Sequence, residues 1–470
     1  MPFILSGNVG SATAATGFNV DNSVRFNSAD SASMEKDAAA PTDNNKWTFS
    51  AWVKRSKLGT LQEIFYGEAN STNYCTIRFN DTSDTLTFKN RPGSTTSTLT
   101  TSAVFRDPNA WLHLVVVLDT SNGTAANRDI IYINGVRETN FSTESHSGDG
   151  DVCYINSDGD AMKISKGNSA SFFNGYMAEV YFIDGQALAA SDFGEFDEDS
   201  PTIWKPKDAS GLTFGNNGFY LDFKASGNLG NDANGGTDLT ESNLAATDQS
   251  TDTCTNNFST LNSLIYITNA GMTLSEGNLK VVTSADAHRN AYGTMGVSSG
   301  KWYWEINIVD TTGDHQKIGV VNEDNAEINK TSPSEFSGDA NGYAYRTDGQ
   351  KENNDSASSY GNSYTDDDII GVAMDLDNNK LYFSKNGTFQ NSGDPTTGST
   401  GTGSAFNLAA NKTYFAAINQ YGGNTSSFNF GSPPYAVSSG NADGNGFGNF
   451  EYAPPSGYFA LCTKNLAEFG

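Results

Sequence analysis

Basic residues are scarce in this chain of 470 residues: 28 Lys and Arg stand against 54 Asp and Glu, which gives a formal net charge of −26 at pH 7. Because a strongly acidic protein repels phosphate backbones and anionic lipid surfaces, we expect neither a nucleic-acid partner nor membrane insertion. The excess of carboxylates remains compatible with a neutral glycan, a divalent cation or a protein as partner. The charge therefore excludes two classes of function without selecting among the others.

Cysteine is also rare, and its spacing gives no support to a zinc site. Cys75, Cys153, Cys254 and Cys462 are far apart and form no C-x-x-C pair. We expect four free thiols in a protein that folds in a reducing cytoplasm. Residues 1–17 contain only a short apolar stretch without a basic flank, so no secretory signal is expected, and no apolar run is long enough to span a membrane.

Long stretches with apolar residues at helical spacing are missing, whereas glycine (48 residues) and aromatic residues (12%) are abundant. Short apolar runs between polar, glycine-containing turns predict an all-β protein with little helix. The length exceeds what one core usually serves, since domains run to roughly 100–200 residues. We therefore expect two antiparallel β-sandwich (jelly-roll-like) domains joined by an extended polar connector.

Several segments have the pattern of β-strands. In residues 47–54, Trp47, Phe49, Ala51 and Val53 alternate with a second set of side chains, which predicts a half-buried strand. Residues 111–119 are apolar on both faces and predict a central strand. Asn-Gly and Asp-Gly pairs follow or flank these segments and are typical of tight hairpin turns.

These strands carry a resemblance, through the segments W-T-F-S-A-W-V-K-R, W-L-H-L-V-V-V-L-D, I-Y-I-N-G and F-N-G-Y-M-A-E-V. Together they resemble the laminin-G, or concanavalin A-like, fold family over residues 18–200, after an N-terminal arm of residues 1–17. The versions in tail and fibre-like proteins of marine phages are the most similar, because F-I-D-G-Q-A-L and F-G-E follow the last of these segments there, as here. The resemblance implies a ligand-binding sandwich.

Residues 201–257 differ in composition and are rich in Gly, Asn, Asp and Thr. A segment this polar cannot build a core alone, so we predict an extended connector with one docked strand at residues 219–223. The pieces G-F-Y-L-D-F, L-G-N-D and D-x-x-T-N-N-F within and just after it are similar to the same phage proteins.

The remainder of the chain carries a second resemblance. It contains G-K-W-Y-W-E, I-G-V, D-x-I-I-G-V-A-M-D-L-D, L-Y-F-S-K-N-G and F-N-F-G in this order. These motifs resemble the SPRY family over residues 258–435, which implies a second sandwich that binds partners through loops at one rim. Residues 436–470 form a Gly- and Pro-rich tail, in which residues 458–462 are expected to pack back on the domain as a strand.

The sequence gives little support to any arrangement of catalytic residues. Alternation would place Glu195, Asp197 and Asp199 on one face, as a glucanase acid and nucleophile require. This run lacks flanking apolar alternation and precedes Pro201, so we predict a solvated loop and no enzymatic activity. The chain has four histidines, and His113, inside an apolar strand, is expected to be structural.

An acidic group in two glycine-containing loops is a candidate calcium site, made of Asp149, Asp151, Asp158 and Asp160. Carboxylates on sharply turning loops suit calcium. The spacing is not that of a helix-loop-helix calcium site, and Asp-Gly turns are common in β proteins, so ordinary turns are the alternative. No other cofactor is expected.

Aromatic residues of the SPRY-like region are the candidate ligand-binding residues. The rim position that the resemblance implies points to Tyr292, Tyr343, Tyr345 and Arg346. Packing within the core or rim is the alternative interpretation for the same side chains.

Both resemblances imply recognition modules. We expect a bacteriophage virion protein of tail-fibre or receptor-binding type, made in the host cytoplasm and located at the tail or outer surface of the particle. Its partners would be other virion proteins and a host-surface glycan or protein, and a homotrimer is the expected assembly. A capsid decoration or tail-assembly protein is the alternative, and a glycan hydrolase is a third hypothesis.

Overall fold

The computed structural model describes residues 4–5, 17–168, 171–266, 271–284, 286–313, 315–328, 330 and 334–470. Most of the predicted arm of residues 1–17 lies outside these residues. The chain forms two units: an N-terminal unit, Thr13–Thr255, and a C-terminal unit, Asn256–Gly470 with Met1–Ala12. Strand Ile4–Leu5 (β1) belongs to the C-terminal unit.

The N-terminal unit contains short 3-10 helices and many strands. The 3-10 helices are Ala125–Asn127, Ala190–Asp192 and Ala246–Asp248. The strands are Ser23–Phe26 (β2), Ser33–Asp37 (β3), Lys46–Arg55 (β4), Gln62–Asn70 (β5), Asn73–Phe79 (β6), Thr85–Pro92 (β7), Ser97–Val104 (β8), Trp111–Asp119 (β9), Asp129–Ile133 (β10), Val136–Arg137 (β11), Phe141–Ser145 (β12), Ala161–Ile164 (β13), Gly175–Asp184 (β14), Gly194–Phe196 (β15), Trp204–Pro206 (β16), Phe219–Leu221 (β17), Thr240–Ser242 (β18) and Gln249–Ser250 (β19).

Two antiparallel sheets enclose the core of this unit. One has the order β11-β10-β9-β4-β14-β2-β19, with β17 also paired to β14, and the other has the order β12-β8-β7-β6-β5-β13-β3-β18. Strands β15 and β16 form a separate pair. The alternation predicted for β4 is confirmed, because Trp47, Phe49, Ala51 and Val53 all lie in the core between the sheets.

The other face of β4 is buried as well, which the prediction of a half-buried strand did not include. Trp52 packs with Val20 and Ala178, and the neighbouring strands β9 and β14 contribute a second apolar cluster on this outer face. Phe214 and Tyr220 belong to that cluster. The outer face is therefore covered by chain that follows β14.

The segment predicted as a connector supplies this cover and belongs to the N-terminal unit. Strand β17 pairs with β14, β18 with β3 and β19 with β2, so the segment adds strands to both sheets instead of docking one. Lys54 on β4 also forms a buried ion pair with Asp252, with 2.7 Å between Nζ and Oδ2. The predicted connector is too polar to form its own core, and it is ordered here by packing on the N-terminal sandwich.

The expectation of four free thiols is wrong for two of them. Cys75 on β6 and Cys153, in the loop before β13, form a disulfide with 5.8 Å between their Cα atoms. The two residues are 78 positions apart and meet because strand and loop share the same core. Cys254 and Cys462 are free.

The C-terminal unit is a second sandwich. Its helices are Ser263–Tyr266 (α1) and Thr463–Phe469 (α2), with 3-10 helices Phe336–Gly338, Gln390–Ser392 and Pro395–Thr400. Its strands after β1 are Met272–Ser275 (β20), Lys280–Thr283 (β21), Arg289–Tyr292 (β22), Met295–Gly296 (β23), Lys301–Asp310 (β24), Gln316–Asn322 (β25), Gly342–Arg346 (β26), Gln350–Asn353 (β27), Ser356–Ser359 (β28), Ile369–Asp375 (β29), Lys380–Lys385 (β30), Thr388–Phe389 (β31), Phe406–Asn407 (β32), Tyr414–Gln420 (β33), Thr425–Asn429 (β34) and Phe459–Ala460 (β35).

Its two main sheets have the orders β20-β21-β34-β24-β29-β30-β31 and β22-β33-β25-β26-β27-β28, and β1 pairs with β23. The tail returns to the first sheet, where β35 pairs with β24. Glu305 on β24 is fully buried and accepts hydrogen bonds from the backbone N–H groups of Glu451 and Tyr452, at 2.9 and 2.8 Å. Glu305, the last residue of the G-K-W-Y-W-E motif, thus fixes the C-terminal tail to the sandwich.

The predicted fold class is confirmed: the structure is 42% strand and 7% helix, with antiparallel sheets in two sandwiches. Among the described residues, no helix is both long enough and apolar enough to cross a membrane.

The Lys54–Asp252 ion pair generates a stability prediction. Both side chains are almost completely buried, and Asp252 Oδ1 also accepts a hydrogen bond from Trp111 Nε1 at 3.1 Å. Removing one partner leaves an uncompensated buried charge, so Asp252→Ala should lower the free energy of unfolding of the N-terminal unit by about 3–5 kcal/mol. Chemical denaturation followed by tryptophan fluorescence measures this. Lys224→Met, which breaks a 3.6 Å ion pair between an exposed lysine and Asp222, is the control and should cost less than about 1 kcal/mol. An equally small loss in Asp252→Ala would contradict the docking role of this pair.

Candidate functional site

The tyrosines of β26 lie in the core of the C-terminal unit and not at an exposed rim. Tyr345 is fully buried and stacks on Phe383, with ring centroids 5.3 Å apart. Tyr343 packs edge-on against Phe406 at 5.4 Å. Residues 343 and 345 share one face of the strand, and that face is the inner one. The structure therefore corrects the interpretation of these two rings as ligand-binding.

The other two ligand-binding candidates are also engaged within the unit. Tyr292 on β22 is 2% exposed and packs in an apolar cluster with Val321 and other residues. Arg346 is partly exposed, and its guanidinium pairs with Glu352 at 2.6 Å and Asp348 at 3.0 Å. The four residues do not form a common surface for a ligand.

Three carboxylates near Arg346 lie close enough for one ion. Oxygen atoms of Glu335, Glu352 and Asp355 are within 4.8 Å of one another. The Lys317 ammonium already pairs with the first two, at 2.5 and 2.6 Å. A lysine therefore supplies the positive charge, and the group is a partly buried ion-pair network of the sandwich.

The proposed calcium ligands do not converge. Across the described part of the chain, the carboxylates that come together in threes do not include Asp149, Asp151, Asp158 or Asp160. Their two loops are anchored to different backbone positions, since Gly150 N–H donates to Thr120 O and Gly159 N–H donates to Ala38 O. The Asp151 carboxylate instead accepts the Gly148 N–H at 2.7 Å. The loops are ordinary turns, and the calcium hypothesis loses its ligand set.

The acidic run after β14 has a structural role at one position. Asp197 is buried, accepts the N–H groups of Asp199 and Ser200, and lies 3.3 Å from Lys205 Nζ. Glu195 is exposed on the two-stranded sheet of β15 and β16 and lies 3.6 Å from the same ammonium. Lys205 thus pairs with both carboxylates, and the arrangement stabilises the turn between β15 and β16.

His113 is a core histidine, as the sequence predicts. Its ring bonds through Nε2 to Ser50 Oγ and accepts at Nδ1 from Trp204 Nε1, both at 2.9 Å, and it stacks on Trp52. Burial lowers the pKa of His113 to about 3, so the ring is neutral at physiological pH. Both ring nitrogens therefore have partners within the core.

A buried carboxylate that the sequence did not indicate is Glu179, at the bulge of β14. Its backbone has a φ of 49°, and its side chain accepts hydrogen bonds from the hydroxyls of Tyr181 and Tyr220, at 2.5 and 2.9 Å. Burial raises the pKa of Glu179 to about 7, although both hydroxyl donors act in the opposite direction. A raised pKa is typical of a general acid, but this carboxyl is buried and hydrogen-bonded to two tyrosine hydroxyls.

One polar cleft opens on the surface of the N-terminal unit, with a volume of about 470 Å³. We call it the polar cleft; it is lined by residues of three segments, 36–39, 215–218 and 234–240. The first segment includes the end of β3, and the other two come from the segment that was predicted to be a connector. Glycine, asparagine, aspartate and threonine dominate its lining, so backbone and short polar side chains face the opening.

A chain of hydrogen bonds fixes two walls of the polar cleft. The side chain of Asn217 pairs with both backbone groups of Ala39, accepting from N–H and donating to the carbonyl oxygen at 2.8 Å each. Its own N–H donates to the buried carboxylate of Asp184 at 3.1 Å. Asp184 accepts in addition from the N–H of Thr42 and from Asn156 Nδ2, both at 2.7 Å. These walls are preformed.

Lys36 lines the polar cleft, and the side chain of Asp232 lies against Gly236, another lining residue. Lys36 Nζ interacts electrostatically with Asp232 and Asp238 but forms no ion pair within 4.0 Å of an acidic group in the described part of the chain. Asp232 is 4% exposed, and its Oδ2 atom is buried without a partner. Asp232 is not itself among the residues that line the polar cleft.

Family models match two parts of the chain. Residues 26–192 match the concanavalin A-like lectin/glucanases superfamily, and residues 301–433 match the SPRY domain. The chain therefore contains a concanavalin A-like domain followed by a SPRY domain, as the motifs predict. Segments 215–218 and 234–240 of the polar cleft lie outside the first match. Both domains are of kinds that suggest binding of other molecules.

Solved structures are similar to the chain at low identity. The SPRY domain of human HERC1 matches 33% of this chain and 91% of its own length, with 17% identity and a TM-score of 0.27. Stonustoxin matches 36% of this chain and 27% of its own length, with 19% identity and a TM-score of 0.28. No curated protein matches the chain. These likenesses say nothing about what this protein binds.

Glu179 generates a prediction on pH. The folded state, with a pKa of about 7, binds a proton that the unfolded state, near 4.5, has released. The contribution of this pKa difference to the free energy of unfolding is fully present below pH 4.5. It is lost as the pH rises from 4.5 through 7. Relative to Glu179→Gln, the wild-type unfolding free energy should fall by on the order of 2–3 kcal/mol between pH 4.5 and 8. Denaturant titrations across this range measure the difference. The exposed Glu198→Gln is the control, and parallel pH curves for wild type and Glu179→Gln would refute the shift.

Proposed function

We propose that this protein is a non-enzymatic recognition component of a bacteriophage virion, of tail-fibre or receptor-binding type, which binds a glycan on the host surface. The phage origin rests on the resemblance of the connector motifs and of the segment after β14 to marine phage tail proteins. The recognition role is supported by two binding-type domains in one chain. A host-surface protein is the other ligand class compatible with these domains.

The polar cleft is the observation that carries the glycan proposal. It combines preformed walls with a lining of glycine and short polar side chains, in a unit whose sandwich is lectin-like. Saccharides present many hydroxyls and little apolar surface, so they require such convergent donors and acceptors. A glycan therefore fits the chemistry of the cleft better than an apolar ligand does.

Several features favour binding over hydrolysis. Glycoside hydrolysis needs two carboxyl groups on opposite sides of the scissile bond, about 5–10 Å apart and free to act. In the polar cleft, Asp238 is held by the Asp232 N–H and by Asn228, which keep its pKa below the usual range. Asp232 accepts two backbone N–H groups through Oδ1. Asp238 therefore lacks the raised pKa that a general acid requires.

The first test is binding without turnover. Full-length protein should bind intact host cells and a subset of uncharged oligosaccharides on an array, while releasing no reducing sugar from host polysaccharide. Bovine serum albumin, another soluble acidic protein, is the control for non-specific attachment. Reducing-sugar release would support the hydrolase instead. Binding to capsids but not to cells or glycans would favour the alternative of a capsid decoration or tail-assembly protein.

The second test concerns assembly. A shallow polar site binds weakly, because the cost of association offsets few contacts, and repeated copies raise the effective concentration. Closed cyclic symmetry is the usual way to repeat one chain, so we expect a homotrimer. Multi-angle light scattering of the full-length protein should give three times the monomer mass. Single copies seated on capsid subunits in a reconstruction of the particle would contradict the fibre role.

A further inference from the structure

We propose that Lys89, Arg91 and Tyr74, on the outer face of the sheet that contains β6 and β7, bind the anionic group of an acidic saccharide. We call these three residues the basic patch. The inference rests on the proposed function for the class of ligand and adds a second saccharide subsite to it. The basic patch shares no residue with the lining of the polar cleft.

Strand register places the three side chains of the basic patch on one face. Lys89 and Arg91 are alternate residues of β7, and Phe88 between the strand's outward positions lies in the core of the sandwich. The two cationic side chains therefore point away from the core. Arg91 lies directly opposite Tyr74 on β6. Residues that face each other across adjacent strands share a face of the sheet, so the guanidinium and the ring are neighbours.

Both cations converge on the Tyr74 ring. Lys89 Nζ lies 5.4 Å and Arg91 Cζ lies 5.8 Å from the ring centroid. Burial acts to raise the pKa of the Tyr74 hydroxyl, but hydrogen bonding to Lys89 and Arg91 and their positive charges lower it overall. All three side chains are partly exposed. One small ligand group can therefore contact both cations and the hydroxyl.

Neither cation of the basic patch is neutralised by a carboxylate. Within the residues that the structure describes, no Asp or Glu oxygen lies within 4.0 Å of the Lys89 or Arg91 side-chain nitrogens. Glu68, which lies opposite Tyr74 on β5, is engaged instead by Lys163 Nζ at 3.3 Å and by the Tyr66 hydroxyl at 2.9 Å. A chain with 54 acidic and 28 basic residues thus keeps two neighbouring bases free of acidic partners.

The spacing of the two cations suits an anion between them. Alternate residues of a strand are about 7 Å apart, so the like charges repel, and an anionic group between them replaces this repulsion by two attractions. Arg91 offers a planar fork that matches two oxygens of a carboxylate or phosphate, and Lys89 adds a point charge. The distant carboxylates of the chain oppose such an anion weakly, because salt at physiological concentration screens charges over about 8 Å.

Hydroxyl groups beside the basic patch favour a saccharide as the carrier of the anionic group. Thr98 on β8 lies opposite Lys89, and Ser145 on β12 lies opposite Thr98, so the row continues along the same face. Thr98 is partly exposed and Ser145 is exposed. Such hydroxyls both donate to and accept from sugar hydroxyls. A long polyanion such as a nucleic acid would instead bring many further charges against a chain of net charge −26.

Three single substitutions in the full-length protein test the basic patch. Lys89→Met and Arg91→Gln each remove one positive charge and keep part of the stem, and Tyr74→Phe removes only the hydroxyl. Lys57→Met is the matched control, because it removes the charge of an exposed lysine of the same unit that lies outside the strands. Thermal unfolding identifies any variant that is misfolded, and the remaining variants then decide the question.

The probes are trigalacturonic acid, its fully methyl-esterified form, mannose 6-phosphate and hexaglutamate, each titrated by calorimetry at physiological ionic strength. We expect at least one of the two acidic sugars to bind wild type and Lys57→Met equally. Its affinity should fall at least about tenfold in Lys89→Met and Arg91→Gln, and by roughly three- to tenfold in Tyr74→Phe. Binding of trigalacturonic acid alone would identify a carboxylate as the recognised group, and binding of mannose 6-phosphate alone a phosphate.

Several outcomes would overturn this site. They are no binding of either acidic sugar, equal binding of the methyl ester, and an equal loss of affinity in Lys57→Met. Tighter binding of hexaglutamate than of both acidic sugars would assign the surface to an acidic peptide and would also overturn the inference. The proposed function stands in each case if wild type still binds host cells or uncharged oligosaccharides. Wild type that binds neither cells nor any saccharide would overturn both.

Discussion

The buried carboxylate of Asp184 is the constraint on which the N-terminal unit's surface chemistry depends. It ends β14 and accepts hydrogen bonds from three segments that are distant in sequence, through Thr42, Asn156 and Asn217. Asn217 then pairs with the backbone of Ala39, so two walls of the polar cleft follow from one carboxylate. A buried charge is tolerable only when such donors surround it, and here those donors belong to the chain that forms the site.

In both units, a buried carboxylate that accepts hydrogen bonds also fixes a segment that has no core of its own. In the C-terminal unit, Glu305 receives the backbone N–H groups of Glu451 and Tyr452 and so fixes the polar tail. In the N-terminal unit, Asp252 forms an ion pair with Lys54 and ends the covering segment against β4. A polar segment buries too little apolar surface to offset the conformational entropy that it loses on ordering. Charge-assisted hydrogen bonds to a rigid sheet supply part of the missing stabilisation.

The strands and both domain types could be predicted from the sequence because they repeat short patterns. Alternation in β4 identified its core face, and the SPRY motifs occurred in order. Alternation in β26 shows that Tyr343 and Tyr345 share one face of the strand. It does not show whether that face points to the core or to solvent, which depends on how the two sheets pack. The Cys75–Cys153 disulfide joins positions 78 apart, and no local pattern encodes that proximity. The polar cleft was missed for the same reason, since Lys36, Asn217 and Asp238 line it together but are distant in sequence.

The polar cleft also explains why the covering segment is so rich in glycine and asparagine. Loops of small residues allow a ligand to approach the backbone, and asparagine side chains replace backbone partners at turns. A segment selected only to shield the outer sheet would be expected to carry larger apolar residues, as at Phe214 and Tyr220, along its whole length. Its division into an apolar part that covers the sheet and a glycine-rich part that borders the cleft fits the proposed binding of a ligand at the cleft.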